Sequence, residues 1–323
     1  MKRNYADISP GYYLLDKKGL EDIHEATLSL MEDYGVCVFG SQGREILKAG
    51  GCVVQEGSDL IRFPREIVNG AIESAPAEFI AYSRDGKHDI PIGGKHVTYT
   101  NFGTGVEVVD LYTGELKSST TEELGNIARV IDAIDEIDTF TVAVAAQDAP
   151  YSHIKELYEA ETVFHNTTKH FIHDAESGKN AARIIDMAAA IAGGREQLRK
   201  KPILSMCICP NSPLEIHEWA ADVIIETSKA GIPMSILSMG LAGGTTPATI
   251  AGTLVVTNAE ILAGIVLAQL VNKGTPVIYG TSTTIMDMQR ATSPVGAPEH
   301  GMFGAAVAQI GHYYGIPTYV GGT

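Results

Sequence analysis

The chain closes on Tyr314-Gly315-Ile316-Pro317-Thr318-Tyr319-Val320-Gly321-Gly322-Thr323, and this stretch decides how the rest of the sequence is interpreted. A long apolar helical segment precedes it, Gly315 and Pro317 predict a turn, and residues 318–320 predict a short buried strand. Two glycines follow the strand directly. A helix, a turn, a strand and a glycine pair typically open a loop at the end of a barrel strand, so we expect the sequence to stop inside a domain.

The same order of strand, loop and helix extends back from this stretch to about residue 96. Short apolar runs predict strands at 97–100, 140–145, 169–172, 203–209, 233–237, 276–279 and 318–320. Continuous rather than alternating apolar runs indicate strands that are buried on both faces of a parallel sheet. The two candidate architectures are therefore an open doubly wound sheet and a closed (β/α)8 barrel.

A glycine-rich turn distinguishes these two architectures. An open nucleotide-binding sheet needs such a turn between its first strand and the following helix. The nearest match, Phe102-Gly103-Thr104-Gly105, leads instead into another strand-like run at 106–110. We therefore predict an α/β fold of the TIM (β/α)8 barrel class over residues 96–323, incomplete, with about seven of its eight strands present.

Residues 1–95 contain a different mixture of elements and predict an N-terminal α/β cap. A helix at 16–34 has one apolar face, and a hairpin at 52–54 and 60–63 turns around Gly57. Pro64 opens a further helix at 65–74, since proline suits the start of a helix. A last strand is predicted at 78–84, which places the domain boundary near residue 95.

Composition limits the partners of the protein. Its 323 residues carry a formal net charge of −15, which argues against nucleic acid because phosphates attract patches of Lys and Arg. Four cysteines and an N-terminal sequence without an apolar leader predict reduced thiols in the cytoplasm. The longest apolar stretch, 250–271, is interrupted by polar residues such as Glu260, so we expect a buried helix and no membrane partner.

Functional residues of a barrel gather where its strands end. The residues after the predicted strands are mostly small and polar, and none is Lys or Arg, which favours a small cationic substrate over an anion. The rings of Phe102, Tyr279 and Tyr319 are candidates to face such a cation, or else they fill the barrel. Asp287 and Glu299 follow the sixth predicted strand, where each could contact a cation or cap a helix.

A metal site is the main alternative at these strand ends. Cys207 and Cys209 share one face of a strand, and His170 and His173 lie at the end of another. The cysteine spacing differs from that of a typical zinc motif and their strand is apolar, so structural roles are favoured and no metal is predicted. The sequence contains no G-x-S-x-G nucleophile elbow.

Several short runs, in this order and spacing, resemble the trimethylamine:corrinoid methyltransferase family. They are Phe102-Gly103-Thr104-Gly105-Val106, Pro210-Asn211-Ser212-Pro213-Leu214-Glu215, Asn258-Ala259-Glu260, Tyr279-Gly280-Thr281-Ser282-Thr283-Thr284, Ser293-Pro294-Val295-Gly296-Ala297-Pro298-Glu299 and the closing 314–323. The resemblance runs from the first helix to the last residue. It implies a TIM-barrel methyltransferase of methylamine metabolism and methanogenesis, longer than this chain, which moves a methyl group from trimethylamine to the Co(I) of a corrinoid.

The resemblance also implies a catalytic pyrrolysine, encoded by an in-frame amber codon, directly after Thr323. Gly321, Gly322 and Thr323 would then form the loop that positions it, and this chain alone would be inactive. We further expect no tightly bound cofactor, a corrinoid carried by a separate partner protein, and a homo-oligomer at full length. Two alternatives stay open: a glycine betaine:corrinoid methyltransferase without pyrrolysine, and an inactive fragment that only binds the corrinoid protein.

Overall fold

The computed structural model describes residues 12–55 and 57–321. The N-terminal elements are α1 (Lys17–Ser29, extended by a π-helical turn at Leu30–Tyr34), β1 (Val36–Val38), α2 (Ser41–Ala49), β2 (Val53–Val54), β3 (Leu60–Arg62), α3 (Arg65–Ser74), β4 (Glu78–Ala81) and β5 (Ile90–Gly93). They follow the predicted order, with β5 as an additional strand antiparallel to β4. Asp16 fixes the start of α1 because its side chain accepts the N–H of Gly19.

The second part alternates strands and helices, as its apolar runs predict. Three of its helices are N-capped by a hydroxyl side chain that accepts a backbone N–H of the first turn. The capping residues are Thr120, Ser177 and Thr249. The elements are β6 (Glu107–Val109), β7 (Leu116–Ser118), α4 (Thr121–Asp132), β8 (Thr139–Thr141), α5 (Lys155–Asn166), β9 (His170–His173), α6 (Gly178–Ala192), α7 (Arg195–Lys200), β10 (Leu204–Ile208), β11 (Glu215–Ile216), α8 (Glu218–Ala230), β12 (Met234–Ser238), β13 (Leu241–Ala242), α9 (Ile250–Val271), β14 (Val277–Thr281), β15 (Thr284–Ile285), α10 (Pro298–Tyr314) and β16 (Thr318–Val320).

Six of these strands form one parallel sheet in the order β16-β14-β12-β10-β9-β8. The sheet is curled, so that Tyr319 on β16 comes close to the side chain of Thr141 on β8, the strand at the opposite edge. Parallel pairing throughout, with helices between successive strands, makes this a curled half-barrel. The predicted incomplete α/β barrel is confirmed.

The first predicted strand, 97–100, does not form as expected. Thr100 makes a single parallel bridge to Thr139 at the start of β8. The side-chain amide of Asn101 then takes over, since its nitrogen donates to the Thr141 carbonyl at 2.7 Å and its oxygen accepts the Thr141 N–H at 3.0 Å. An asparagine side chain thus occupies the hydrogen-bonding edge that a further strand would use.

A second departure from simple strand–helix alternation precedes α8, which begins at Glu218. Leu214 has a left-handed backbone with φ of 57°, and β11 follows it and pairs in parallel with β1. Because β1 also pairs with β3, the N-terminal part and the barrel share a four-stranded sheet, β11-β1-β3-β2. The domain boundary near residue 95 stays a prediction, and this sheet crosses it.

The central core helix is α9, which lies at the predicted position. It is long and apolar enough to cross a membrane, yet most of its apolar stretch is buried inside the protein. Helices α1, α2, α3 and α8 pack against it. Its polar side chains have partners: Asn258 donates to Thr27 at 2.9 Å and to the Tyr314 hydroxyl at 2.8 Å. The expectation of a buried helix is therefore confirmed.

Candidate active site

The candidate active site is the concave face of the six-stranded sheet, near the carboxyl ends of its strands. The strand register places Gly280 beside both Leu237 and Tyr319. Because side chains alternate between the two faces, these three residues share the concave side with Thr141, which lies close to Tyr319. Burial, and secondarily the nearby Cys207, raise the pKa of the Tyr319 hydroxyl, so this group stays protonated at neutral pH.

The two strand cysteines contribute thiols to the same face. Cys207 pairs laterally with Ser235 of β12, and Cys209 lies two residues further along β10. The two thiols influence each other: Cys209 raises the pKa of Cys207, and Cys207 in turn lowers the pKa of Cys209. Cys209 is exposed, so it does not have the packed position that the apolar strand suggested. In the described part of the chain, no group of three or more His, Cys, Asp and Glu converges as a metal site.

A carboxylate also lies on this face at the end of β9. Asp174 interacts electrostatically with both thiols and with the buried His173, whose Nδ1 lies 3.3 Å from the Asp174 carboxylate. Burial lowers the pKa of His173, but the adjacent Asp174 carboxylate outweighs this effect and raises the pKa overall. Burial raises the pKa of Asp174, and the interaction with His173 reverses this and lowers it. The pair is therefore stabilised in its ionic form.

Two buried glutamates of α5 lie behind this end of the sheet. Glu159 accepts the N–H of Ala146 at 2.9 Å, and burial raises its pKa. Glu156 accepts the side-chain amide of Asn180 at 2.8 Å, and its backbone carbonyl contacts Nε2 of His173 at 2.8 Å. These contacts fix the segments that follow β8 and β9 relative to each other.

Glu260 of α9 fixes the loop after β10 in a similar way. Its side chain is fully buried and accepts hydrogen bonds from the Ser212 hydroxyl and the Leu214 N–H, each at 2.9 Å. The Ser238 hydroxyl, at the end of β12, also donates to it. Burial raises the pKa of Glu260. One carboxylate thus holds the carboxyl ends of two adjacent strands in register.

Tyr279 lies on the other side of the sheet from this face. Its neighbour Gly280 faces the concave side, so the Tyr279 ring points toward the helices and is 1% exposed. Its hydroxyl donates to the side chain of Asn258 at 2.8 Å, and its ring meets that of Tyr314 edge to face. The structure therefore does not bring Tyr279 together with Tyr319.

The remaining predicted residues lie at different places around the strand ends. Phe102 is 74% exposed on the loop beside β8, and Asp287 closes a turn by accepting the N–H groups of Gln289 and Arg290. Glu299 lies in the first turn of α10. Gly321 follows β16 directly, and a Cβ there would lie 2.7 Å from the buried Nε2 of His300. Gly322 and Thr323 lie outside the described residues. The binding roles assigned to all these residues stay predictions.

Asp174, Thr141 and Cys209 were not singled out as binding residues from the sequence. The available signal was the C-x-C spacing, which marks one face of β10. Which face is concave depends on the curl of the sheet, and that is not visible in a run of apolar residues.

Side chains of this chemistry at the carboxyl ends of parallel strands are the organisation of α/β-barrel enzymes, and the protein has the architecture of that class. The model of the trimethylamine methyltransferase (MTTB) family matches residues 2–323. The chain therefore belongs to this family, and the family predicted from the short sequence runs is confirmed.

Several relatives have high sequence identity over nearly the whole chain. A trimethylamine methyltransferase MttB of Desulfitobacterium hafniense is 45% identical over 300 residues, covering 93% of this chain and 60% of that protein. The MttB of Methanosarcina barkeri is 41% identical and covers 94% of this chain and 62% of its own length. A glycine betaine methyltransferase of D. hafniense is 32% identical, with 97% and 65% covered. The chain thus spans about three fifths of the length of these relatives.

A solved structure supports the fold. The Methanosarcina barkeri monomethylamine methyltransferase (MtmB) superimposes with a TM-score of 0.53, covering 97% of this chain and 70% of that chain. Its sequence identity is 12%, so the likeness shows the shared fold alone.

Proposed function

We propose that the full-length protein is a methyltransferase that removes a methyl group from trimethylamine and transfers it to a methyl acceptor. The observation that carries this proposal is the family match over residues 2–323, together with 40–45% identity to several trimethylamine methyltransferases. The concave face suits a small cation, because it carries a tyrosine ring, two thiols and a carboxylate and no Lys or Arg.

The finer parts of the proposal rest on the family resemblance. The acceptor is the Co(I) of a corrinoid, which supplies the nucleophile that takes the methyl group and is carried by a separate partner protein over the open carboxyl ends of the strands. A pyrrolysine directly after Thr323 supplies the electrophile that activates the tertiary amine. We also place the protein in the cytoplasm and expect the full-length chain to form homo-oligomers.

The residues of this chain hold the walls of the site in position. Glu260 holds the loop after β10 and the end of β12, so the walls of the site keep their spacing. Tyr319 comes close to Thr141, so the two edge strands of the curled sheet face each other across its concave side. A small amine on the concave face would then present a methyl group toward the open ends of the strands, where the acceptor protein approaches.

The rival function is transfer from glycine betaine, which a betaine methyltransferase at 32% identity supports. Full-length protein should be incubated with its reduced corrinoid protein and either trimethylamine or glycine betaine, and methyl-cobalt formation followed by absorbance. We expect methylation with trimethylamine and none with betaine; the opposite result, or no transfer from either amine, would overturn the proposal. A chain ending at Thr323 is the matched control and should be inactive, and a sense codon after Thr323 would refute the pyrrolysine step.

A further inference from the structure

The six strands of the curled sheet, together with the residue that follows each strand, contain one Asp, Glu, Lys or Arg side chain, and it is Asp174. It follows β9 directly and lies on the concave side beside Cys207 and Cys209. Its side chain is 66% accessible. A lone accessible carboxylate on an otherwise neutral concave surface attracts cations, because low-dielectric walls focus its field.

His173 holds this carboxylate in place. Its Nε2 lies 2.8 Å from the backbone carbonyl of Glu156, which can only accept, so Nε2 carries a hydrogen. Its Nδ1 lies 3.3 Å from Asp174 Oδ1, which is within ion-pair distance. The imidazole is 1% exposed and stacks on Phe171, 4.9 Å between ring centroids, so it cannot rotate away. Asp174 is therefore oriented before any ligand binds.

The other charged side chains near Asp174 are already engaged elsewhere. Lys155 of α5 pairs with Glu176 at 2.9 Å and contributes only a minor electrostatic effect at Asp174. Across the concave face stand the aromatic ring of Tyr319 and the thiols. A carboxylate on one wall and an aromatic ring on another is the combination that binds methylated ammonium ions, since each attracts positive charge without forming a covalent bond.

We propose that the Asp174 carboxylate recognises the methylated ammonium cation of the substrate, with His173 as its positioning residue and the Tyr319 ring as the opposite wall. The chemical identity of the cation rests on the proposed function. The location of the cation site does not, because it follows from the one carboxylate on the concave face and its contact with the buried His173.

The test is binding of trimethylammonium to full-length protein by isothermal titration calorimetry, with tert-butanol as the neutral probe of similar shape. The wild type should bind trimethylammonium and show no measurable heat with tert-butanol. Asp174→Asn, which removes the charge at nearly constant size, should weaken trimethylammonium binding at least about tenfold. Glu161→Gln removes an equal charge at an exposed position of α5 and is the matched control, expected to bind as the wild type does.

Binding by Asp174→Asn within about threefold of the wild type would overturn the inference, as would an equal loss in Glu161→Gln or no binding by the wild type. If Asp174→Asn does not fold, as judged by its unfolding transition, Asp174→Ser replaces it in the same comparison. Methyl transfer is measured on the same preparations. Transfer without a binding defect in the Asp174 variants refutes this inference alone, whereas absence of transfer from every amine refutes the proposed function and leaves the binding result interpretable.

Discussion

His170 makes the stability of the barrel depend on pH in a way that can be calculated. Its ring is 1% exposed at the amino end of β9. Nδ1 lies 3.1 Å from the carbonyl of Tyr82 and therefore carries the hydrogen, while Nε2 accepts from the Ser205 hydroxyl at 2.6 Å. Both nitrogens are satisfied by the neutral ring. Burial lowers the pKa of His170 to about 4, from an ordinary value of 6.5.

The perturbation is acidification from about pH 7 to about pH 5. When the pKa of a base is lower in the folded state, the free energy of unfolding is unaffected above the pKa of the unfolded state. It decreases as the pH falls toward the pKa of the folded state, because only the unfolded chain takes up the proton. With pKa values of 6.5 unfolded and about 4 folded, this linkage lowers the free energy of unfolding by about 2 kcal/mol near pH 5. The loss approaches about 3 kcal/mol near pH 4.

The assay is urea unfolding of the wild type and of His170→Gln at both pH values. Gln cannot titrate, so the free energy of unfolding of the variant should fall by about 2 kcal/mol less than that of the wild type between the two pH values, to within about 0.5 kcal/mol. Groups such as Glu159 and Glu260, whose pKa values burial raises, titrate alike in both proteins and cancel in the difference. His312→Gln, at an exposed position of α10, is the matched control and should follow the wild type. Equal acid losses in the wild type and His170→Gln would show that protonation of His170 does not destabilise the fold.

Two further substitutions test the packing behind the site. Gly321→Ala should lower the free energy of unfolding by about 1–3 kcal/mol, because its Cβ would lie 2.7 Å from the buried ring of His300. Urea unfolding measures this loss, and the control is Gly301→Ala, whose Cβ would meet nothing within 4 Å. An unchanged unfolding midpoint for Gly321→Ala would contradict the prediction. Glu260→Ala should cost about 3 kcal/mol or more in the same assay, since buried hydroxyl and N–H donors lose their acceptor. Glu161→Ala, at an exposed position of α5, is its control, and a similar small effect of both would show that the buried bonds contribute little.

The strands of the sheet could be predicted because burial on both faces leaves a continuous apolar run in the sequence. β9, β10, β12, β14 and β16 therefore lie at or within a few residues of their predicted positions, and Pro64 marks the start of α3 correctly. The strand at 97–100 could not be excluded from sequence, because the side chain of Asn101 takes its place through contacts with a residue forty positions away. β11 depends in the same way on a distant partner, β1.

The site was harder to predict than the fold, for a related reason. A strand buried on both faces has no polar side to show which residues face the barrel interior. Tyr279 and Tyr319 are both aromatic, both near a strand end and both plausible by position. The register then separates them, since Tyr279 faces the helices and Tyr319 the concave side. Asp174 was equally ambiguous until the curl of the sheet showed it beside the two thiols.

On the helical side of the sheet, Tyr279 takes part in a buried hydrogen-bond network. Its hydroxyl donates to Asn258 of α9, and Asn258 donates to both Tyr314 of α10 and Thr27 of α1. A strand, the core helix, the last helix and the first helix are thus joined by one set of buried hydrogen bonds. Such bonds are costly to leave unmade, so each element constrains the position of the others.

The position of β16, which carries Tyr319, depends on few neighbouring elements. It pairs only with β14 among the described strands, and α10 packs against it closely enough that a Cβ on Gly311 would meet the Thr318 side chain at 2.2 Å. The position of Tyr319 therefore depends on α10 and β14, which the Asn258 network ties to α1. The N-terminal helix, far from Tyr319 in sequence, consequently helps to set the curl that brings Tyr319 across to Thr141. In physical terms the N-terminal part is a support of the site and not a separate attachment to the barrel.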